Sequence, residues 1–440
     1  MGGDPRRPGG GLMAMSDKLN TLSAVDIAAG VAAGSFTAEA VTAACLDRIA
    51  SREESVGAWE FLDPELALAQ ARAVDAADVK GPMAGVPVGV KDIIDTHDMP
   101  TGMGSPIYDG HRPASDASCV AHMRAAGAVI LGKTVTCEFA GLTPRKTANP
   151  LDPSRTPGGS SSGSAAAVAD DMVPVAFGTQ TGGSVLRPSS YCGIIGYKPS
   201  FDTFSLTGVY PAAESLDTLG LHARHLDDIE LASAALLRRP FAPIGELKKP
   251  PVVGLCKTPM WDAAQPESRE AVESAAAAMQ AAGAMVRDFE LPEEFDWLGE
   301  LRGMINGWER ADVMADEWAR HRDALSDQMQ ATIQGGLDTP YRDYVDAMHL
   351  METCRARTTQ SFEGCDVLLT PAVDGEAPVG LAETGSPRFQ ALWTMLHTPT
   401  ITLPTHQGPN GLPVGIQLVA PYRADRSLLG IARWAMEACR

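Results

Sequence analysis

Between residues 37 and 52 the apolar positions Ala40, Val41, Ala44, Leu46 and Ile49 recur at roughly helical spacing, which predicts a helix with one buried stripe. A second helix is predicted through Val74, because Asp63-Pro64 supplies an N-cap and a first-turn proline. The period then changes. Residues 85–91 alternate Val86, Val88 and Val90 with other residues, giving a strand whose valines share one face while Lys91 points to the other. Residues 118–126 read as a helix, 128–131 as a buried strand, 162–169 as an alanine-rich helix and 173–177 as another strand. Such alternation predicts α/β layering. A Pro- and Lys-containing stretch, 239–251, reads as a connector, after which helical segments dominate to about Gly364. Residues 365–371, 400–404 and 414–419 return to strand-like patterns, so the chain is expected to re-enter the same sheet at its end. No period of tens of residues repeats.

Composition narrows the class. The chain has 440 residues, 45% hydrophobic and 21% charged, the mix of a globular protein with one main core and insertions. Residues 1–14, rich in Gly, Pro and Arg, read as a disordered leader, and 15–440 as a single domain. A net charge of -19 repels phosphate backbones and anionic lipid headgroups, which disfavours nucleic acid and membrane partners. Eight scattered cysteines without a C-x-x-C pair suggest neither a zinc site nor a disulfide framework, and fit a reducing, cytoplasmic setting. No metal or other cofactor is expected.

Three features could carry chemistry: Lys91 at a strand end, the run Gly158-Gly159-Ser160-Ser161-Ser162-Gly163-Ser164, and the run from Gly178 to Ser184. The first glycine-rich run lacks the spacing and the lysine of a phosphate-binding loop. It also satisfies G-x-S-x-G, with Ser161 as nucleophile and His397 or His406 as base, but that elbow needs a strand directly before it. Residues 148–157 contain three prolines and polar turn formers instead. An alanine-rich helix follows at once, which argues against a mobile linker. In the second run, two glycines let consecutive backbone N–H groups converge on one volume, as an oxyanion hole requires, and Ser184 ends the turn. His222 and His225 lack the surroundings of a metal site and read as packing residues.

Lys91, Ser160 and Ser184 at these intervals resemble the amidase signature family. The likeness runs from about residue 23 and includes Gly85-Val86-Pro87 through Lys91-Asp92, Pro157 to Ala165, Gly178 to Ser184, Cys192-Gly193 through Lys198-Pro199, Ser215 to Gly220 and Gly411 to Val419. The resemblance implies a three-layer α/β/α sandwich around a large mixed β-sheet. It also implies a triad in which Ser184 is acylated, Ser160 follows a cis peptide bond and relays the proton, and Lys91 is the base. Thr181, Gly182, Gly183 and Ser184 then match the oxyanion hole, and Thr179 a residue supporting the triad. A lysine serves as base only when burial or other donors destabilise its ammonium.

Two departures bear on substrate. Many family members carry an acid at the position of Gln180, and many place the arginine two residues after the nucleophile, whereas Arg187 stands three after Ser184. This variant resembles malonamidase-like amidases, in which the matching arginine holds the substrate's free carboxylate. Arg187 is thus a candidate anchor for a small anionic amide, or alternatively a structural cap on nearby carbonyls. Residues from about 250 to 364 are expected to line the substrate pocket. The expected partner is a small-molecule amide, with a homodimer left open. Aryl amides, carbamates, ureas and hydrazides, an amidotransferase A-type subunit and a non-catalytic binding protein are the competing readings. The role of His397 is open.

Overall fold

A computed structural model describes residues 18–362 and 364–440; the expected leader at 1–14 lies outside them. Eleven strands form one mixed sheet with helices on both sides. They are β1 Trp59–Leu62, β2 Pro87–Lys91, β3 Val129–Thr134, β4 Val175–Gln180, β5 Ile195–Lys198, β6 Thr218–Ala223, β7 Val252–Leu255, β8 Met285–Asp288, β9 Val367–Pro371, β10 Thr400–Gln407 and β11 Pro413–Val419. Their order across the sheet is β1-β3-β2-β4-β6-β5-β10-β11-β9-β7-β8. The end of the chain therefore re-enters the sheet, and it does so in the middle.

The first predicted helices are present as Ala38–Val56 and Pro64–Ala76, with Thr37 and Asp63 accepting from backbone N–H groups as N-caps. Each satisfies a donor that the first helical turn leaves unpaired. Helices Ser118–Ala125 and Ser162–Ala169 also fall where the apolar spacing put them.

The region read as helical from about 250 holds two strands, β7 and β8, on either side of helix Pro266–Ala281 and ahead of its later helices. Both are four residues long: β7 is an apolar Val-Val-Gly-Leu too short to show a period, and β8 is largely exposed at the sheet edge and carries no apolar run. The short β1, β5 and β6 escaped the pattern for similar reasons: β5 mixes Gly, Tyr and Lys, and β6 includes Gly220 and His222.

Strand β2 lies between β3 and β4 and is parallel to both, with Lys91 beside Thr134 and Gly89 beside Ala176. Every residue of β2 and β4 is buried, since helices cover both faces. Lys91 and Gln180 end their strands on the same side of the sheet. Crevices outside the carboxyl ends of parallel strands are where α/β sheets bind ligands.

Two helices wall this crevice, Leu298–Val313 and Asp327–Asp338, and they cross at glycines. A Cβ on Gly336 would stand 1.9 Å from the Gly307 carbonyl oxygen, so only glycine allows this approach. Gly336→Ala is expected to push the helices apart, lowering Tm by about 5 °C, as overpacking of a tight contact does. Thermal denaturation of the variant checks this.

Candidate active site

The serine-rich run is stitched to β4 along its length. Ser161 Oγ accepts from the Thr179 N–H at 3.3 Å, and Ser164 Oγ donates to the Phe177 carbonyl at 2.7 Å. Helix Ser162–Ala169 then packs against the sheet with nearly every side chain buried. The run is thus a fixed part of the core. Gly158 enters it at φ +81°, and a Cβ there would meet Pro188. The Gly159–Ser160 peptide bond is cis.

Lys91 is fully buried. Its Nζ lies 2.8 Å from Ser160 Oγ and 2.8 Å from Thr179 Oγ1, with the Thr179 carbonyl at 3.5 Å. Burial lowers its pKa to about 7; Cys137 and Asp217 oppose this, and the nearby Arg310 and Arg187 add smaller lowering effects. Two other buried lysines show what distinguishes it. Lys133 pairs with the Asp92 carboxylate at 3.1 Å. Lys198 is also lowered to about 7, but donates to the carbonyls of Pro199 and Thr398. Lys91 faces two hydroxyls, one of which precedes the next turn of the site.

That turn, residues 181–184, leaves β4 and enters helix Leu186–Cys192. Among the described residues its four N–H groups find no hydrogen-bond acceptor. Two buried side chains shape it. Gln180 Oε1 accepts from the N–H groups of Val185 and Leu186 at 2.9 and 3.1 Å, while its Nε2 donates to Thr394 Oγ1 at 3.0 Å. Thr181 Oγ1 donates to Asp217 at 2.5 Å, and the same carboxylate holds the N–H groups of Ala212 and Ala213. A Cβ on Gly183 would stand 2.4 Å from Gln390 Oε1, so the turn lies flat against that side chain.

Ser184 ends the turn, its carbonyl accepting from the Ser161 N–H at 3.3 Å. Its side chain lines a pocket and makes no hydrogen bond among the described residues, with Ser160 or otherwise. Lys91, Ser160 and Thr179 are in direct contact, then, and Ser184 is the member whose hydroxyl stands apart.

The pocket has a volume of about 90 Å³ and is bordered by residues 181–184, Arg187, Arg302, Asn306, Arg310 and Gln328. Among the described residues no Asp or Glu lines it. Arg187 is fully buried; its Nη2 donates to the Gly159 carbonyl at 2.6 Å and to Thr384 Oγ1 at 3.2 Å, while Nε and Nη1 have no partner. It therefore makes the carbonyl cap and keeps donors to spare. Arg302, Asn306 and Arg310 were not singled out by sequence reasoning. Their signal was present as polar residues at i, i+4 and i+8, which share one helix face.

The histidines stand elsewhere. His222 is buried against Ser189 and pushed down to about 3 by burial. His397 stacks on Phe201 at 3.8 Å and bonds the Ser215 carbonyl, and His406 bonds Ser274, so neither serves Ser161 as an elbow base. His97, Asp98 and Asp116 have metal-ligand spacing, but Arg124 already bridges the two carboxylates.

An α/β sheet with a glycine turn that presents a serine to a pocket is an arrangement suited to acyl transfer, and comparison with known proteins shows an amide-hydrolysing enzyme. The chain belongs to the Amidase family, whose profile matches residues 40–429. It is 30% identical to the A-type subunit of the Glutamyl-tRNA(Gln) amidotransferase of Agathobacter rectalis, across 94% of this chain and 93% of that one. Its identity to the corresponding protein of Anaeromyxobacter sp. is 32%, across 92% and 94%. Among solved structures, an amidase superposes with a TM-score of 0.86 at 29% identity, covering 94% of this chain and 99% of that one. The peptide amidase of Stenotrophomonas maltophilia gives 0.79 at 26%, covering 94% and 96%. Among the described residues no helix is long and apolar enough to cross a membrane.

Gln180 offers a test of how the turn is held. Gln180→Leu strands two buried N–H groups, at a cost of about 1–3 kcal/mol each, and is expected to lower both Tm and kcat. Gln180→Glu keeps an oxygen for both N–H groups and should retain more of each. Thermal denaturation and steady-state kinetics on the pair check this.

Proposed function

We propose that the enzyme cleaves the C–N bond of a small amide through an acyl-enzyme on Ser184. The observation that carries this reading is a buried lysine 2.8 Å from the Ser160 hydroxyl, with no carboxylate partner among the described residues, behind a turn whose N–H groups find no acceptor among them. Lys91 is neutral in the resting enzyme above pH 7 or so. Ser184 attacks the amide carbonyl; Ser160 takes its proton and passes its own to Lys91. The N–H groups of Thr181, Gly182, Gly183 and Ser184 receive the developing oxyanion. Return of the proton by the same route releases the amine, and water then attacks the ester. Thr179 orients the lysine.

Arg187 holds a carboxylate on the acyl part of the substrate in this proposal, using the donors that the Gly159 carbonyl leaves free. The malonamidase-like assignment rests on the spacing from Ser184 to Arg187. A second reading, an amidotransferase A-type subunit, is favoured by the names of the relatives at 30 and 32% identity. Glutaminase activity that depends on added partner subunits would select it.

Incubation with a fluorophosphonate is expected to label Ser184 in the wild type and not in Ser184→Ala, read by peptide mass spectrometry. A Ser184→Ala enzyme that turned over substrate normally would sink the mechanism. Because a protonated lysine cannot accept, kcat/KM should fall about tenfold per pH unit below the Lys91 pKa of about 7 and level off above it. Arg187→Ala should raise KM for malonamate much more than for neutral amides of equal size, and equal losses on both would remove the anchor role.

A further inference from the structure

Among the described residues Arg302 is a cation without an anion. It projects from helix Leu298–Val313 into the pocket beside the turn, close enough that a Cβ on Gly182 would stand 3.1 Å from its Nη1. Among the described residues it makes no hydrogen bond and no ion pair. Asp296 lines the neighbouring cavity with it but does not pair with it, and Asp374 is taken by Arg388 at 3.3 Å. Burial lowers the Arg302 pKa with no acid to offset it, and its charge in turn lowers that of Arg187. Two guanidiniums thus repel each other across the pocket, and a third, Arg310, lies on the same wall, committed through Nη1 to the Phe139 carbonyl at 2.7 Å.

Arg302 is half-buried, so water still reaches its guanidinium, but a cation held partly out of water gains from an opposite charge placed beside it. The protein as a whole carries a net charge of -19, yet among the described residues no Asp or Glu lines this pocket. The described residues supply no anion to this pocket, which leaves the place to a ligand. Arg187 has one arm engaged by Gly159 and Thr384, whereas the whole guanidinium fork of Arg302 is open to a ligand.

We propose that Arg302 is a specificity-determining residue that binds the carboxylate of an anionic amide substrate, clamping it against Arg187 beside the oxyanion turn. This rests on the reading of residues 181–184 as the acyl-transfer site. A planar fork suits a carboxylate better than a point charge does, so lysine is an imperfect replacement. The position also gives discrimination. An amide lacking the carboxylate leaves both cations unpaired, and sites that lose a buried polar partner reject the analogue strongly.

The test pairs malonamate with 3-methylbutanamide, in which an isopropyl group replaces the carboxylate. Arg302→Ala should lower the malonamate to 3-methylbutanamide ratio of kcat/KM by about tenfold or more, mainly through KM for malonamate, and Arg302→Lys should restore part of it. Calorimetric titration of Ser184→Ala with malonate reads the anion site without turnover; adding Arg302→Ala should weaken binding about tenfold. An unchanged ratio together with unchanged malonate affinity would overturn the proposal. So would equal losses on both amides. Malonate binding that depends on Arg302 in a Ser184→Ala enzyme still hydrolysing amides would refute the serine mechanism and leave the anion site standing.

Discussion

An amine buried at the end of an interior strand, with no carboxylate bonded to it among the described residues, is the constraint around which this molecule is arranged. A lysine in such a place is stable only in its neutral form or with several donors and acceptors close by. Lys91 meets this through two hydroxyls, Ser160 and Thr179, and each hydroxyl is itself fixed by main chain that cannot easily move. Thr179 belongs to β4, which pairs with β2 on one side and β6 on the other. Ser160 belongs to a loop whose later serines are tied to β4. The position of one nitrogen thus depends on three strands and a helix start, which is why the site lies in the sheet's interior and not on a surface loop.

Beside this neutral amine stand permanent cations. Guanidiniums keep their charge at any working pH, whereas the lysine titrates near neutrality. The arginines around the pocket reinforce the loss of charge on Lys91, so the group that must accept a proton and the groups suited to hold an anion act on one another. A negatively charged ligand between them would relieve the repulsion and raise the lysine pKa. Occupancy of the pocket and basicity of the amine are linked in this way.

Much of this was legible in the residues. Alternating valines placed β2 and its terminal lysine, and the alanine-rich stretch after the serines placed a helix to the residue. The ordered motifs by themselves pointed to the family. Strands β7 and β8 were hidden because four residues are too few for a period to emerge, and because an edge strand need not be apolar. Arg302 and Arg310 were hidden differently. A polar stripe on a helix ordinarily faces water, and only the packing of Leu298–Val313 across Asp327–Asp338 turns that stripe inward. Local spacing supplied the face, and the tertiary crossing supplied its meaning.

The strand order carries a consequence for biosynthesis. β10 and β11, the last strands of the sheet to leave the ribosome, occupy its centre between β5 and β9. Until they emerge, the nascent polypeptide can assemble only two half-sheets, one ending at β5 and the other at β9, each with an open row of peptide groups. Such rows invite pairing with other chains, so the newborn protein is most exposed to aggregation just before this hairpin appears. The closing hairpin acts as a keystone, and its loss should be far more damaging than trimming the outermost strands.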